Sequence, residues 1–339
     1  MKKASRSARS GRKGRRFLDV DPVPILAASH NPAIAFFARR DLLEVDAGAV
    51  SMLWDLPAAR RIVARQNADG SWRYPGGKTH VRSRENYDQL ETFRQAGVLV
   101  EELGFTREHP AMRRAAESLF SFQTEEGDFR GIYGNQYATT YVGAIMEVLI
   151  KAGYAADARI AKGFRWLLAT RQNDGGWAIP MRTLGIPFSE FVNARRHPRA
   201  LGPDRSKPSS HLVTGMVLRA FAAHATRRTS AEALRAADFL ASRLYQKDGY
   251  GDRGDVGYWE RVSFPFWFTD VVSALDTLSL MQLPSEAPPI RAALERLRTI
   301  QRADGTFGLR IMKNKHEDLP WWICLAVCRI LARWRYLGR

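Results

Sequence analysis

The chain has 339 residues, 45% of them hydrophobic and 11% aromatic, enough material for a large core and too much for a disordered polymer. No stretch reaches 18 uninterrupted apolar residues, which excludes a membrane-spanning helix, and the basic start runs into Asp19, Asp21 and two prolines instead of a signal-peptide core. The formal charge is +17, but residues 1–16 hold eight Lys and Arg and no acid, which leaves +9 on the body.

In chain order, residues 1–16 are rich in Ser, Gly, Arg and Lys and are expected to form a disordered basic tail. Anionic membrane is the partner such a tail would contact peripherally, and a plain solvated tail is the alternative. Nucleic acid is not expected, because no aromatic interleaves the charges to stack bases. Asn31 followed by Pro32 reads as an N-cap and first helical position, and the helix is predicted to run to about Glu44.

From residue 50 onward the chain repeats. Gln66-Asn67-Ala68-Asp69-Gly70-Ser71-Trp72, Gln172-Asn173-Asp174-Gly175-Gly176-Trp177 and Gln301-Arg302-Ala303-Asp304-Gly305-Thr306-Phe307 share one pattern. Looser copies begin at Gln123 and Gln246, so the leading glutamines are 57, 49, 74 and 55 residues apart, room for two helices each. Before each motif lies a one-sided amphipathic helix, as in Met112, Ala115, Leu119 and Phe122, or Ile290, Leu294, Leu297 and Ile300. After it lies a helix apolar nearly all round: Tyr141–Ile150, Val213–Ala223 and Trp321–Val327. A helix that is apolar on every side is packed on every side, so the alternation predicts two concentric rings. The expected fold is all-α, an α/α toroid of five to six helical hairpins in one domain over 17–339. Residues 178–209, rich in Pro and Arg, form a long loop insertion at the barrel mouth, read as a lid, a basic clamp or an inert insertion.

The motif itself is expected to be mechanical. Its glycine supplies the positive φ that stops an outer helix, its acid caps locally, its aromatic packs between repeats, and its glutamine reaches backbone at a helix end. No catalytic residue is placed in it.

Gln-x-x-Asp-Gly-x-Trp/Phe, repeated between helical hairpins, resembles the Gln-Trp repeat of terpenoid cyclases and the related repeats of protein prenyltransferase β-subunits. The resemblance implies a barrel with a cavity at one end of the inner helices, and an isoprenoid or other lipid-like substrate that is bound, cyclised or transferred. This chain departs from the family's catalytic signatures: it has no Asp-x-Asp-Asp acid motif, no aspartate-rich metal motif and no matching Asp, Cys and His zinc set. No cofactor and no metal are therefore expected. His80, His197 and His211 match no recognised ligand spacing. Cys324 and Cys328, four apart in an apolar helix, cannot pair without breaking it, so a reduced, cytoplasmic protein is expected.

Registering the repeats on one another brings the heads of the inner helices together. The best acid is Asp270, a carboxyl in an aromatic setting whose pKa burial would raise, assisted by His211 or Glu91. Asp88, Tyr137, Thr140, Trp267, Phe268, Trp321 and Trp322 are placed around it as substrate contacts, the aromatic faces suiting a carbocation or an isoprenoid chain. Two alternatives stay open. One is a glycan-processing toroid with Glu91 and Asp270 as paired carboxylates, and the other is a non-catalytic binding or assembly protein.

Overall fold

A computed structural model of the chain describes residues 17–76, 84–187, 190, 197–250, 254–312 and 316–337. The basic segment 1–16, His80, Asp252 and the loop arginines Arg195 and Arg196 lie outside the described residues.

Among the described residues the helices pair as six hairpins: α1 (Val23–Ala27) with α2 (Pro32–Asp41), α3 (Pro57–Val63) with α4 (Arg84–Glu101), and α5 (Pro110–Phe120) with α6 (Thr139–Leu149). Next comes α7 (Ala158–Ala169), followed after the single turn α8 (Pro180–Thr183) by α9 (His211–Ala223). The last two pairs are α10 (Ala231–Ser242) with α11 (Val271–Leu280) and α12 (Pro288–Thr299) with α13 (Leu319–Arg333). The even-numbered early helices and α9, α11 and α13 form the inner ring. Neighbours pack in the order α4, α6, α9, α11, α13, α2. Gly104, just past α4, lies against Val50 and the Phe37 ring of α2 and closes the circle. The fold is an α/α toroid.

The two kinds of helix read from the sequence are present. In α6 every residue except Tyr141 is buried, and in α11 every residue except Leu280. On α5 only Ala111, Met112, Ala115, Ala116, Leu119 and Phe120 are buried, one stripe facing inward. Burying each such Leu, Met or Phe stabilises the fold by roughly 1.5–3 kcal/mol. The helix expected after Asn31 is α2, preceded by the short, unexpected α1; it ends at Asp41, slightly short of the expected Glu44, and Asn31 caps it by accepting from the amides of Ala33 and Ile34.

The inner helices run parallel, which gives the ring two distinct ends. At the heads, Asn31 Nδ2 donates to Asp318, joining the N-termini of α2 and α13 at 3.0 Å. At the tails, Arg329 of α13 meets Asp41 of α2 at 2.6 Å, and Lys151, just past α6, meets Glu101 of α4 at 2.5 Å.

The repeat braces the head end. Gly70, Gly127, Gly175 and Gly305 all have φ between 84° and 109°, as expected for helix stops. Gln66 donates to the carbonyls of Gly70 and Ala111, and Gln123 to those of Gly127 and Arg159, so each glutamine closes its own turn and holds the next outer helix. The amides of Trp72 and Trp177 donate to hydroxyls on inner helices, Thr92 and Thr214, and their indole N–H groups donate to Ile62 and Leu167.

Candidate functional site

A cavity of about 1580 Å³ opens at the tail end of the inner ring. Its walls are the last turns of α2, α4, α11 and α13, with Phe17, Leu18, Val23 and Pro24 from the start of the described chain and Tyr336 and Leu337 from its end. Phe37, Val100, Phe105, Phe264, Phe266 and Leu280 give it apolar surface.

Charge enters the same walls in pairs. Arg329 and Arg40 hold Asp41, Arg333 holds Asp276 at 2.8 Å, and Lys151 bridges Glu101 and Glu147. Deeper in the ring, Arg219 of α9 holds Glu147 of α6 at 2.7 Å, both almost fully buried. Burial alone would push these carboxyls up, but the cations outweigh it and hold Asp41, Asp276 and Glu147 below their ordinary range. Burial opposes the charge of Lys151, and Glu101 and Glu147 override it, so its pKa is raised. Asp41, Asp276 and Glu147 are therefore ionised at neutral pH, whereas burial and the neighbouring Glu101 push Glu102, just past α4, up to about 8. Ten charged side chains line the cavity, Arg40, Lys151, Arg329, Arg333 and Arg335 against Asp21, Asp41, Glu44, Glu101 and Asp276, and they cancel.

Among the described residues the bore does not run open to the heads. The segment Ser263–Phe268, which precedes α11 and contains a cis Phe264–Pro265 peptide, crosses it as a plug. Phe264 stacks on Trp322 of α13 at 5.3 Å, and Trp267 packs on Phe93 of α4 at 5.6 Å under the Arg94 guanidinium. A second space of about 80 Å³ remains between the plug and α4, and Glu101, Phe264 and Phe266 line both spaces. Trp267 and Phe268 line this smaller space.

The other candidates at the head end are built into the walls. Asp270 is the N-cap of α11 in a capping box with Ser273, and it is 1% exposed. Its Oδ1 accepts from the Ser273 amide, while Oδ2 is buried with no hydrogen-bond partner among the described residues. Burial raises its pKa to about 7 against the pull of Ser273 and Arg219. His211 is buried at the head of α9, its Nδ1 3.3 Å from Asp248 and its ring stacked on Trp259 at 4.7 Å. Burial lowers its pKa in spite of Asp248. Asp248 is the acid of the fourth motif copy along the chain, so here the brace reaches a site candidate.

Glu91 accepts from Gln95 at 2.5 Å and from Arg94 at 3.1 Å. Asp88 accepts from the Tyr74 amide at 2.7 Å. Tyr137 packs on Trp166 of the outer helix α7 and donates to Glu126, and burial together with Glu126 pushes it up to about 12. Thr140 is buried in α6, Trp322 is buried under Phe264 and Phe37, and Trp321 beside it is half-buried. None of these ten residues lines the large cavity.

The described part of the 178–209 insertion is pinned over the heads. Gln136 donates to the carbonyls of His197 and Arg199, Gln172 to those of Asp204 and Lys207, and Ser209 donates to Asp174. Among the described residues it contributes nothing to the large cavity.

Sequence reasoning missed the tail end because the repeat registers heads on heads. A signal was present: Glu147 and Arg219 are the single charges in otherwise apolar inner helices, and each needs a partner across the ring.

No protein-family model matches the chain, and a search of curated proteins finds no match. Among solved structures, a polysaccharide lyase aligns at 15% identity over 91% of this chain and 90% of that one, with a TM-score of 0.43. A family 88 glycosyl hydrolase from Bacteroides vulgatus aligns at 15% identity over 91% and 94%, with a TM-score of 0.42. A type II terpene cyclase from Scytonema, in complex with geranylgeranyl dihydroxybenzoate, aligns at 12% identity over 93% and 99%, with a TM-score of 0.36. At these scores the likenesses decide nothing about the reaction and do not single out the terpenoid cyclases. The fold rests on the helix pairing itself. No described helix is long and apolar enough to cross a membrane.

Proposed function

We propose that this toroid binds an isoprenoid or other lipid-like molecule in the tail-end cavity. The observation that carries the reading is the cavity itself: about 1580 Å³, walled by phenylalanines and aliphatic side chains, with charges that cancel. Small-molecule pockets commonly measure roughly 300–1,000 Å³, so this one has room for a long chain. Self-neutralised walls suit a hydroxyl or zwitterionic head better than a diphosphate. Native mass spectrometry of the protein from its source is expected to show a retained lipid. Titration is expected to show farnesol binding tighter than farnesyl diphosphate, with Phe266→Ala weakening farnesol by about tenfold, or about 1.4 kcal/mol. Absence of any retained lipid together with no farnesol binding overturns the reading.

Proton donation, where the bound molecule reacts, we assign to Asp270. Its support is a carboxyl raised to about 7 with an unpartnered buried Oδ2 at the head of α11. It sits beyond the plug, so turnover requires Ser263–Phe268 to move. Asp270→Asn is expected to keep farnesol binding and to abolish turnover of the retained lipid. Unchanged turnover removes Asp270 from the chemistry and leaves a binding protein. A glycan-processing site needs two facing carboxylates in an open groove. Glu91 and Asp270 sit on α4 and α11 with the plug region between them, and Glu101 and Asp276 are each held by a cation. Oligosaccharide in the same titration is expected not to bind.

A further inference from the structure

The third motif copy is braced differently from the first two, and the difference leaves three arginines together. In the first copy Gln66 reaches the carbonyl of Ala111, second residue of the next outer helix, and its Oε1 accepts from Arg114, the fifth, at 2.7 Å. In the second, Gln123 reaches Arg159, second residue of α7, and Lys162, the fifth, pairs with Glu125 at 3.2 Å. At the third copy the insertion intervenes: Gln172 donates to the carbonyls of Asp204 and Lys207, and its Oε1 is buried with no partner among the described residues. The tie to α10 passes to the neighbouring Arg171, whose Nη1 reaches the carbonyl of Glu232, again the second residue, at 3.4 Å. Arg235, the fifth, is left without the kind of partner that Arg114 and Lys162 have.

Backbone, not acid, holds these guanidiniums. Arg205 donates from Nε to the Arg171 carbonyl at 2.7 Å, and the Arg235 stem lies over Gly175, where an added Cβ would stand 2.9 Å from its Cδ. Among the described residues none of the three makes an ion pair. Burial, then Arg235 and Arg205, press the Arg171 pKa down, and Glu232 is the acid that opposes them. The other acids nearby are engaged or apart: Asp174 accepts from the amide and hydroxyl of Ser209, and Asp204 from those of Ser206. Asp238, three residues past Arg235, is exposed and makes no ion pair with it. Three cations against Glu232 leave two positive charges unanswered. We propose that Arg171, Arg205 and Arg235 form a binding site for a phosphate dianion, free or as the monoester of a small molecule. The charge fits, since a phosphate group carries about −1.5 to −2 at pH 7. So does the shape, because a tetrahedral phosphate offers oxygen pairs to more than one guanidinium fork and a carboxylate offers one pair. None of the three arginines lines the tail-end cavity, so the site is independent of the lipid reading.

The test is calorimetric titration of the full chain with inorganic phosphate at constant ionic strength, because salt screens an exposed site. Saturable binding is expected. Arg205→Gln and Arg235→Gln should each weaken it about tenfold, the loss of a hydrogen bond to a charged group, while Arg165→Gln, exposed on α7, should leave it unchanged. Arg205 and Arg235 are exposed, so both variants are expected to fold, and melting temperatures matching the wild type without phosphate check this. Acetate should bind at least about tenfold more weakly than phosphate. O-phosphoserine in place of inorganic phosphate distinguishes the sources: tighter binding of the ester supports a phosphorylated small molecule, and tighter binding of the inorganic ion supports free phosphate. Three results overturn the proposal: no saturable phosphate binding, phosphate binding that Arg205→Gln and Arg235→Gln leave intact, or acetate bound as tightly as phosphate. Farnesol binding is read in the same variants and is expected to be unchanged, so the failure of either reading leaves the other standing.

Discussion

The two ends of the inner ring are held by different physics. At the heads, short-range backbone chemistry dominates: positive-φ glycines, glutamines spanning two carbonyls, hydroxyls taking indole-residue amides, and a buried carboxyl of raised pKa capping α11. At the tails, ionised side chains paired across helices share a cavity wall with phenylalanines. Repetition belongs to the first kind: four copies share the glycine stop, and Gln66 and Gln123 make the same tie to the next outer helix. The second kind is written once, since a cavity needs different side chains from each helix. The contrast teaches where to look in such a ring: the part that repeats closes the circle, and the part that does not repeat lines the cavity.

The sharpest separation of the two ends is in pH. Asp270 has a folded pKa of about 7 against an ordinary 3.8, so the unfolded chain ionises first. Its contribution is fully present below about pH 4 and is lost as pH rises toward 7, by up to about 4 kcal/mol at roughly 1.4 kcal/mol per pKa unit. Urea titrations of the wild type and Asp270→Asn are expected to show the wild type losing ground steadily over that window. Asp41, Asp276 and Glu147 shift the other way, favouring the fold above the ordinary carboxylate range and losing that support as pH falls below it. A wild-type curve parallel to that of Asp270→Asn would mean the head end is wetter than its burial indicates.

Next in size is the buried pair between α6 and α9. Glu147→Gln leaves Arg219 almost fully buried without its countercharge and should cost about 3 kcal/mol, whereas Arg219→Met leaves Glu147 still held by Lys151 and should cost less. Thermal unfolding of both variants and of the double variant checks this. Equal single losses would mean that Lys151 does not share the load.

How much of this was legible depends on the range of the interaction that carries each feature. The rings, the Asn31 cap and the glycine stops follow from local periodicity and turn chemistry, and a sequence displays those directly. Asp270 was legible as a buried acid because four aromatic or hydroxyl neighbours precede it in sequence, Phe266 to Thr269. Its distance from the large cavity was not legible, since nothing local says that Phe264 and Trp267 reach Trp322 and Phe93 across the bore. The cavity wall joins Phe17, Asp41, Glu101, Asp276 and Arg333, which are far apart in sequence and assembled only by ring closure.

The repeat itself can be graded by what each copy touches. A Cβ at Gly70 would stand 2.2 Å from the Arg114 carbonyl oxygen, a backbone atom that cannot step aside. Gly70→Ala should therefore cost about 3 kcal/mol, from a left-handed penalty of roughly 1–2 kcal/mol plus overpacking. At Gly305 the nearest atoms, on Pro22 and Val20, stand at 3.4 Å, so Gly305→Ala should cost only the conformational part, about 1 kcal/mol. Calorimetry on the two variants decides whether the copies are equivalent braces or are graded by their neighbours.

The smallest expected effect bears most directly on how the motif is tied to the inner ring. Thr214 is fully buried in α9, and its hydroxyl accepts the Trp177 amide at 2.9 Å. Thr214→Val keeps the shape and removes the acceptor, leaving one buried N–H without its partner, so the loss should be about 1 kcal/mol. The same substitution at Thr92, which takes the Trp72 amide, should match it, because the two copies make the same bond at the same 2.9 Å. Hydrogen exchange at the Trp72 and Trp177 amides, read in each variant, is expected to speed up at the altered copy and to stay unchanged at the other. Faster exchange at both amides would mean that the ring transmits the loss from hairpin to hairpin. The head end would then be one cooperative belt, and the contrast between the ends would turn on that as well as on chemistry.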